Sequence, residues 1–455
     1  MINILDNIGQ ITSVISETVW QIFLPLLVIS GLFVSIKTIF KIKKEITTKS
    51  RINVKDFIGP TSIALGAMIG TGAIIGVLGS LSNLAGQGQM YIEAMAIWAL
   101  VGSLILVPLS YSEVLISKIM RKPPKEYINT LLFPAFGTIY GVGFIGLYIF
   151  GFGGFQFSGM DAAITIIANK FAGIELAVMQ RYLFVIIPLI MITSAIILTK
   201  KHDLFINSMT IMIGIAVVSY FLFFFILVFK TSGHWGTFFG NLLKGLTNPV
   251  SMLLGTPLGF TLGLQRIIQT TESGIGALPM AAQESDNGPR AASILAVIPV
   301  IITVVVAILV TTYITSYGIA QGIIQLPADS LTRLVGFYNT AASVTGIFGV
   351  IVLALFTVLS GLTSLLGGYY YLKVVLGTAE NVNIAIYIGL ISIAGTLATF
   401  GFGIVFDVVD LLLFVVTGIN VAALVVFAKN KWQDYKLKEV KESERGVNPK
   451  SKITA

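Results

Sequence analysis

The 455 residues contain no cysteine and only two histidines, and charged residues make up 11% of the chain. The missing cysteine excludes disulfides, thiolate metal sites and thiol catalysis. His202 and His234 fall at the ends of apolar segments, which rules against a histidine metal cluster. Nor does any acid–base–nucleophile set stand out, so an enzyme is disfavoured and no cofactor is expected. A soluble domain carries a charged share of about 25%. With 55% hydrophobic residues and a mean hydropathy of +0.92, this chain reads instead as an all-α polytopic membrane protein.

Lys and Arg outnumber Asp and Glu, 29 to 21. The excess lies in short stretches between apolar segments and in the tail, which marks membrane topology and argues against a nucleic-acid partner. The start, Met1-Ile-Asn-Ile-Leu-Asp6, lacks the basic region of a signal peptide, so the first apolar segment is expected to be retained.

Windows of about 20 apolar residues fall near 16–40, 57–84, 90–117, 132–168, 180–199, 204–229, 248–283, 291–316, 336–373, 382–402 and 404–428, giving eleven expected transmembrane helices. Basic residues follow the first window (Lys37, Lys41, Lys43, Lys44, Lys49, Arg51, Lys55), the third (Lys118, Arg121, Lys122, Lys125), the fifth (Lys200, Lys201) and the last (Lys429 to Lys452). All fall on one side, which places the N-terminus outside the cell membrane and the C-terminus in the cytoplasm. Residues 1–56 then read as an extra helix and basic loop, and 230–247 as an extracellular connection. Segments 57–229 and 248–428 read as two five-helix repeats of opposite orientation, and 429–455 as a cytoplasmic tail.

Each repeat opens on a helix built to break. The stretch 57–84 carries Gly66, Gly70, Gly72 and Gly76, each lowering helix stability by up to about 1 kcal/mol relative to alanine. An unwound segment at membrane depth survives only where protein or a polar cavity satisfies its backbone. The plainer alternative is close helix packing through small residues. The second stretch, 251–285, contains Gln265-Arg266-Ile-Ile-Gln269-Thr270-Thr271-Glu272-Ser273-Gly274-Ile-Gly276. A charge at bilayer depth costs at least about 2.5 kcal/mol, so Arg266 and Glu272 should face protein or water and find partners. Six residues apart, they cannot pair along a continuous helix. Paired interrupted segments in two halves are a pointer to a transporter site at the bilayer midplane.

The run Arg266 to Pro279, followed by Asp286-Asn-Gly-Pro-Arg290, resembles the signature of the alanine or glycine:cation symporter (AGCS) family. Gly70-Thr-Gly72-Ala-Ile-Ile-Gly76-Val, Ser112-Glu113-Val114, Gln156 and Gly367-Gly-Tyr369-Tyr370-Tyr371 are similar to its other motifs. The resemblance implies sodium-driven uptake of a small neutral amino acid, alanine or glycine, through a LeuT-type fold, with sodium as the coupling ion. It implies a substrate site at Thr71, Gly72, Ala73, Gln156, Thr270, Thr271, Ser273 and Gly274, the carboxylate meeting the amides of Thr71 and Gly72 at a half-helix N-terminus. For sodium, a hard ion that takes oxygen ligands, it implies the carbonyls of Gly66 and Ile69 with the hydroxyls of Ser360, Thr363 and Ser364. The last three share one helical face; hydrogen bonding to their own backbone is the alternative for them. Three amide side chains of the family pattern are absent, at Ala73, Ser158 and Thr271, which bears on substrate preference and coupling.

Asp161 stands near Gln156 and is read either as a cavity charge or as a solvated residue at the outer end. Glu93 and Glu113 read as interface residues, and Asp407 and Asp410 as outer-surface residues. Phe152, Phe155 and Phe157 are candidates for the apolar pocket wall. The rival functions are a proton-coupled carrier or uncoupled exchanger titrating at Glu272, Asp161 or Glu93, and a non-transporting ligand sensor or scaffold. Oligomeric state is not encoded in any of these features.

Overall fold

The computed structural model describes residues 19–39 except 21, residues 53–247 except 54, 87, 89 and 90, residues 258–400 and residues 403–430. The basic stretch 41–51 and the tail beyond Asn430 therefore lie outside the described residues, as does the side chain of Asp407. All regular structure among the described residues is helical. Among the described residues, nine helices are long and apolar enough to cross a membrane, and one further pair passes the same test as a bent span.

In chain order these are α1 (Ile22–Ile39), the bent pair α2 (Ile58–Met68) and α3 (Ile75–Gly86), and α4 (Ala94–Met120). A short helix α5 (Pro124–Leu131) follows, then α6 (Pro134–Lys170), α7 (Val178–Leu198) and α8 (His202–Lys230). Next come α9 (Trp235–Thr247), the interrupted pair α10 (Leu258–Thr271) and α11 (Ala277–Ala282), and α12 (Pro289–Ala320). The chain continues through α13 (Ser330–Thr345), α14 (Ile347–Leu376), α15 (Glu380–Phe400) and α16 (Gly403–Asn430).

The connection expected at 230–247 is not all loop. Phe238 and Leu242, one turn apart, are buried and draw 235–247 into the helix α9, whose Gly245 lies so close to Ala94 of α4 that an added Cβ would stand 2.7 Å from its Cα. The apolar window 336–373 is not one helix either. Gly346, at φ +65°, ends α13, and the spanning helix starts at Ile347.

Burial divides the spans. In the most apolar window of α14, 78% of residues are buried, against 28% for α8, so α14 is the core helix and α8 turns most of its surface outward. The helix α14 packs against α2, α6 and α8. Its Gly367 brings it so close to α2 that an added Cβ would lie 2.8 Å from that of Ala67, the small-residue packing membrane helices use in place of a hydrophobic driving force. The first helix α1 leans on α16, where Trp20 Nε1 donates to the Asp410 carbonyl at 3.2 Å and Phe23 meets Phe414 edge-on at 4.7 Å.

Candidate functional site

Both broken stretches do break. Between α2 and α3 the chain leaves the helix at Ile69 and Gly70, makes one 3₁₀ turn over Thr71–Ala73 and bends by 58°. The freed groups find specific partners. Thr71 N–H donates to Gln156 Oε1 at 2.7 Å, the Thr71 hydroxyl donates to the Phe155 carbonyl at 2.9 Å, and the Ala73 carbonyl accepts from Thr311 Oγ1 at 2.9 Å. Gly70 is needed because a Cβ there would fall 2.5 Å from the Gln156 amide. Around Gly72, by contrast, an added Cβ would meet nothing within 4 Å, because that residue borders open space.

The second break, 272–276, turns through three left-handed residues, Glu272 (φ +53°), Gly274 (+78°) and Gly276 (+97°). Its carbonyls are satisfied from two other helices. Tyr140 of α6 donates to the Ile275 carbonyl at 2.8 Å and Asn420 of α16 to the Gly274 carbonyl at 2.8 Å. Ser273 accepts from Ser110 of α4 at 2.7 Å. A non-glycine residue such as Glu272 in this backbone region is uncommon and tends to mark functional sites.

The two breaks face one small cavity. Its wall brings together Gly72, Ala73, Gln156 and Thr270 of the expected substrate residues, with Arg266 and Glu272. Phe152 and Phe155 join Met68 as its apolar side, whereas Phe157 packs elsewhere, near Gly395 of α15. Thr71 adjoins the cavity through its bond to Gln156. Thr271, Ser273 and Gly274 stand apart from it: the Thr271 hydroxyl donates to the Ile267 carbonyl, and Gly274 packs against Leu109, Thr417 and Val421. Gln269, also in the wall, was missed by sequence reasoning. The signal was its spacing, since a cavity-facing Arg266 implies the residue three positions on.

The partners of Arg266 are Ser80 Oγ, which accepts from Nε at 2.8 Å, and Gln269 Oε1, which accepts from the guanidinium. Asp410 supplies opposite charge nearby and accepts from Gln265 at 2.9 Å, so it is half-buried against α10. Asp161 does not line the cavity. It pairs with Arg181 of α7 at 3.0 Å. Glu93 is buried between α4, α9 and α12, accepting from Asn241 at 3.1 Å and Ser316 at 2.5 Å.

Of the residues named for sodium, Ser364 Oγ lies 3.1 Å from the Gly66 carbonyl oxygen and 2.8 Å from that of Ala67. Three hard oxygens thus converge between α2 and α14, a donor set that suits sodium. Thr363 abuts Gly66, 3.1 Å from the place of an added Cβ, but its hydroxyl donates to the Ser360 carbonyl of its own helix. Ser360 is buried and bonds its own helix at the Thr357 carbonyl, and Ile69 is buried at the end of α2.

A family model described as the sodium:alanine symporter family matches residues 5–452. The chain belongs to the sodium:alanine symporter family. The protein is therefore a membrane transporter and not an enzyme, from a family whose coupling ion is sodium. Among curated proteins none matches the symporter significantly. Among solved structures it is similar to a Na+-coupled sialic acid symporter in a substrate-bound outward-open state, at 14% identity and a TM-score of 0.52, covering 85% of this chain and 81% of that one. At that identity the likeness concerns the fold of the symporter alone.

Proposed function

We propose that the chain imports a small neutral amino acid, alanine or glycine, together with sodium by alternating access around its two broken helices. The observation that carries this reading is the cavity between Thr71–Ala73 and Arg266–Glu272, lined by Gln156, Gln269 and Thr270 beside the two charges and by two phenylalanines. We further propose eleven spans, with 258–282 as the broken seventh. One N-terminal helix would precede a five-plus-five inverted repeat of LeuT type, in a cell membrane with the N-terminus outside and the C-terminus in the cytoplasm.

On this reading the substrate carboxylate takes the Thr71 and Gly72 amides at the start of the half-helix, where unpaired donors and the helix dipole favour an anion. The Gln156 amide oxygen bonds the Thr71 N–H, so its side chain has to turn aside as the carboxylate arrives. The short side chain of alanine or glycine rests against Phe152 and Phe155. Sodium is held by the Gly66 and Ile69 carbonyls and the Ser364, Thr363 and Ser360 hydroxyls, bridging the mobile α2 to the core helix α14. Coupling is the difference in affinity that ion and substrate together show for the outward and inward states.

The test is uptake of radiolabelled alanine and glycine into proteoliposomes under equal inward gradients of sodium, potassium or protons. Accumulation with sodium alone is expected. Accumulation driven by protons alone would overturn the sodium assignment, and failure of both amino acids under sodium would overturn the substrate assignment.

A further inference from the structure

Beneath the second break lies a buried polar cluster that neither the substrate nor the sodium reading uses. Glu113 of α4 is 0% exposed. Its Oε2 accepts from Asn420 Nδ2 at 3.3 Å, and its Oε1 has no hydrogen-bond partner. Glu272 is 1% exposed, and its Oε2 likewise has none. The phenol rings of Tyr148 (α6) and Tyr371 (α14) meet edge-on at 5.0 Å within electrostatic reach of Glu272; the Tyr148 hydroxyl faces the Glu272 carboxylate, and the buried Tyr371 hydroxyl has no hydrogen-bond partner. The Gly274 and Gly276 amides of the break face Glu113, while the neighbouring phenols are committed elsewhere: Tyr127 of α5 donates to Asn420 Oδ1, and Tyr140 donates to the Ile275 carbonyl. The two carboxylates also lie within electrostatic range of each other.

Among the described residues, no Lys, Arg or His pairs with either carboxylate. Two neighbouring anions buried in a bilayer and facing tyrosines are not a stable arrangement by themselves; burial penalises both charges, and each disfavours the other. Positive charge has to join them. Glu272 offers the route, because it also borders the cavity between the two breaks. The Tyr148 and Tyr371 hydroxyls add neutral oxygens on the same side.

We propose that Glu113 and Glu272 together hold one exchangeable monovalent cation, a proton or a sodium ion, in a site separate from the oxygens shared by α2 and α14. The site joins α4, α6, α14 and α16 to the 272–276 break, so its occupancy is read directly by the hinge of the second broken helix.

The experiment is infrared difference spectroscopy on the intact protein in lipid, following the C=O stretch of protonated carboxyl groups during separate changes of pH and of sodium at fixed pH. In sodium-free buffer the wild type should show a protonated-carboxyl band that is lost in both Glu113→Gln and Glu272→Gln. Loss of the wild-type band on adding sodium at fixed pH would identify the ion as sodium; a band that follows pH alone would identify it as a proton. Tyr148→Phe and Tyr371→Phe, milder changes, should displace the band without abolishing it, which separates the site from misfolding in the glutamine variants. A band unchanged in both glutamine variants, or no band in the wild type at any pH or sodium level, would overturn the proposal. Neither result depends on amino-acid uptake.

Discussion

The two breaks differ in what holds them open. At 69–73 the polar partner on the cavity side is one side chain, Gln156, and Gly72 has no atom within 4 Å of its missing Cβ. At 272–276 the backbone is pinned by Tyr140 and Asn420 from two helices, and an added Cβ on Gly276 would lie 2.3 Å from the Tyr140 hydroxyl. The first break is held lightly and can exchange its partner for a ligand. The second is a fixed hinge, with a charge placed at its start. An unwound membrane segment needs its backbone satisfied in either case, so what marks a binding break is that the satisfying group can leave.

Glycine substitutions test that contrast most severely. Gly276→Ala forces a Cβ into left-handed backbone, at about 1–2 kcal/mol, and overpacks it against Tyr140, about 1–3 kcal/mol more. Thermal unfolding in detergent should show the loss. Gly72→Ala should leave stability within about 0.5 kcal/mol of wild type while weakening substrate binding, measured as the amino-acid concentration needed for thermal stabilisation. Equal destabilisation by the two would erase the distinction between a ligand-facing break and a fixed one; unaltered affinity in Gly72→Ala would remove its amide from the carboxylate site.

A smaller effect separates the two hydroxyls beside the first break. Ser364 reaches two carbonyls of α2, whereas Thr363 spends its hydroxyl on its own helix. Ser364→Ala should therefore raise the sodium concentration for half-maximal uptake about tenfold, the ratio that corresponds to about 1.4 kcal/mol. Thr363→Val should raise it less. The reverse order would mean that Thr363 turns its hydroxyl toward the ion in the transporting protein and that the α2–α14 contact through Ser364 is only structural.

Much of this was legible in the sequence, for reasons that also define the limit. Gly66, Gly70, Gly72 and the Arg266–Glu272 run announce breaks because each is costly in a spanning helix. Apolar length placed most spans to within a few residues. The partners were not legible. Tyr140 meets Ile275 across 135 positions of sequence and Asn420 meets Gly274 across 146, and no local periodicity encodes such a meeting. Gly346 ended a helix where the apolar window ran straight through it, since a glycine in a membrane helix signals packing as often as termination. The hydroxyls Thr270 and Thr271 look alike in sequence, yet only Thr270 borders the cavity, because one residue turns a helical side chain by about 100°.

The mildest prediction lies far from both breaks. His234 stands between α8 and α9, with its Nε2 3.0 Å from Ser316 Oγ. Ser316 commits its own proton to Glu93 at 2.5 Å, so the histidine donates through Nε2. Burial holds its pKa below the ordinary value, with the Glu93 charge partly opposing. The unfolded histidine titrates near 6.5 and takes up its proton before the folded one does. The stability this residue contributes is therefore complete above about pH 6.5 and declines as pH falls through that value. Between about pH 7.5 and about pH 5.5, a range that brackets the free histidine value, the thermal midpoint of the wild type should fall more steeply than that of His234→Gln. Sodium activation should be the same in both, because α9 covers the start of α4 and touches neither break. Parallel midpoint curves would show that His234 takes up its proton over the same pH range folded and unfolded, and a changed sodium response would tie the α9 cover to the machinery that the first break serves.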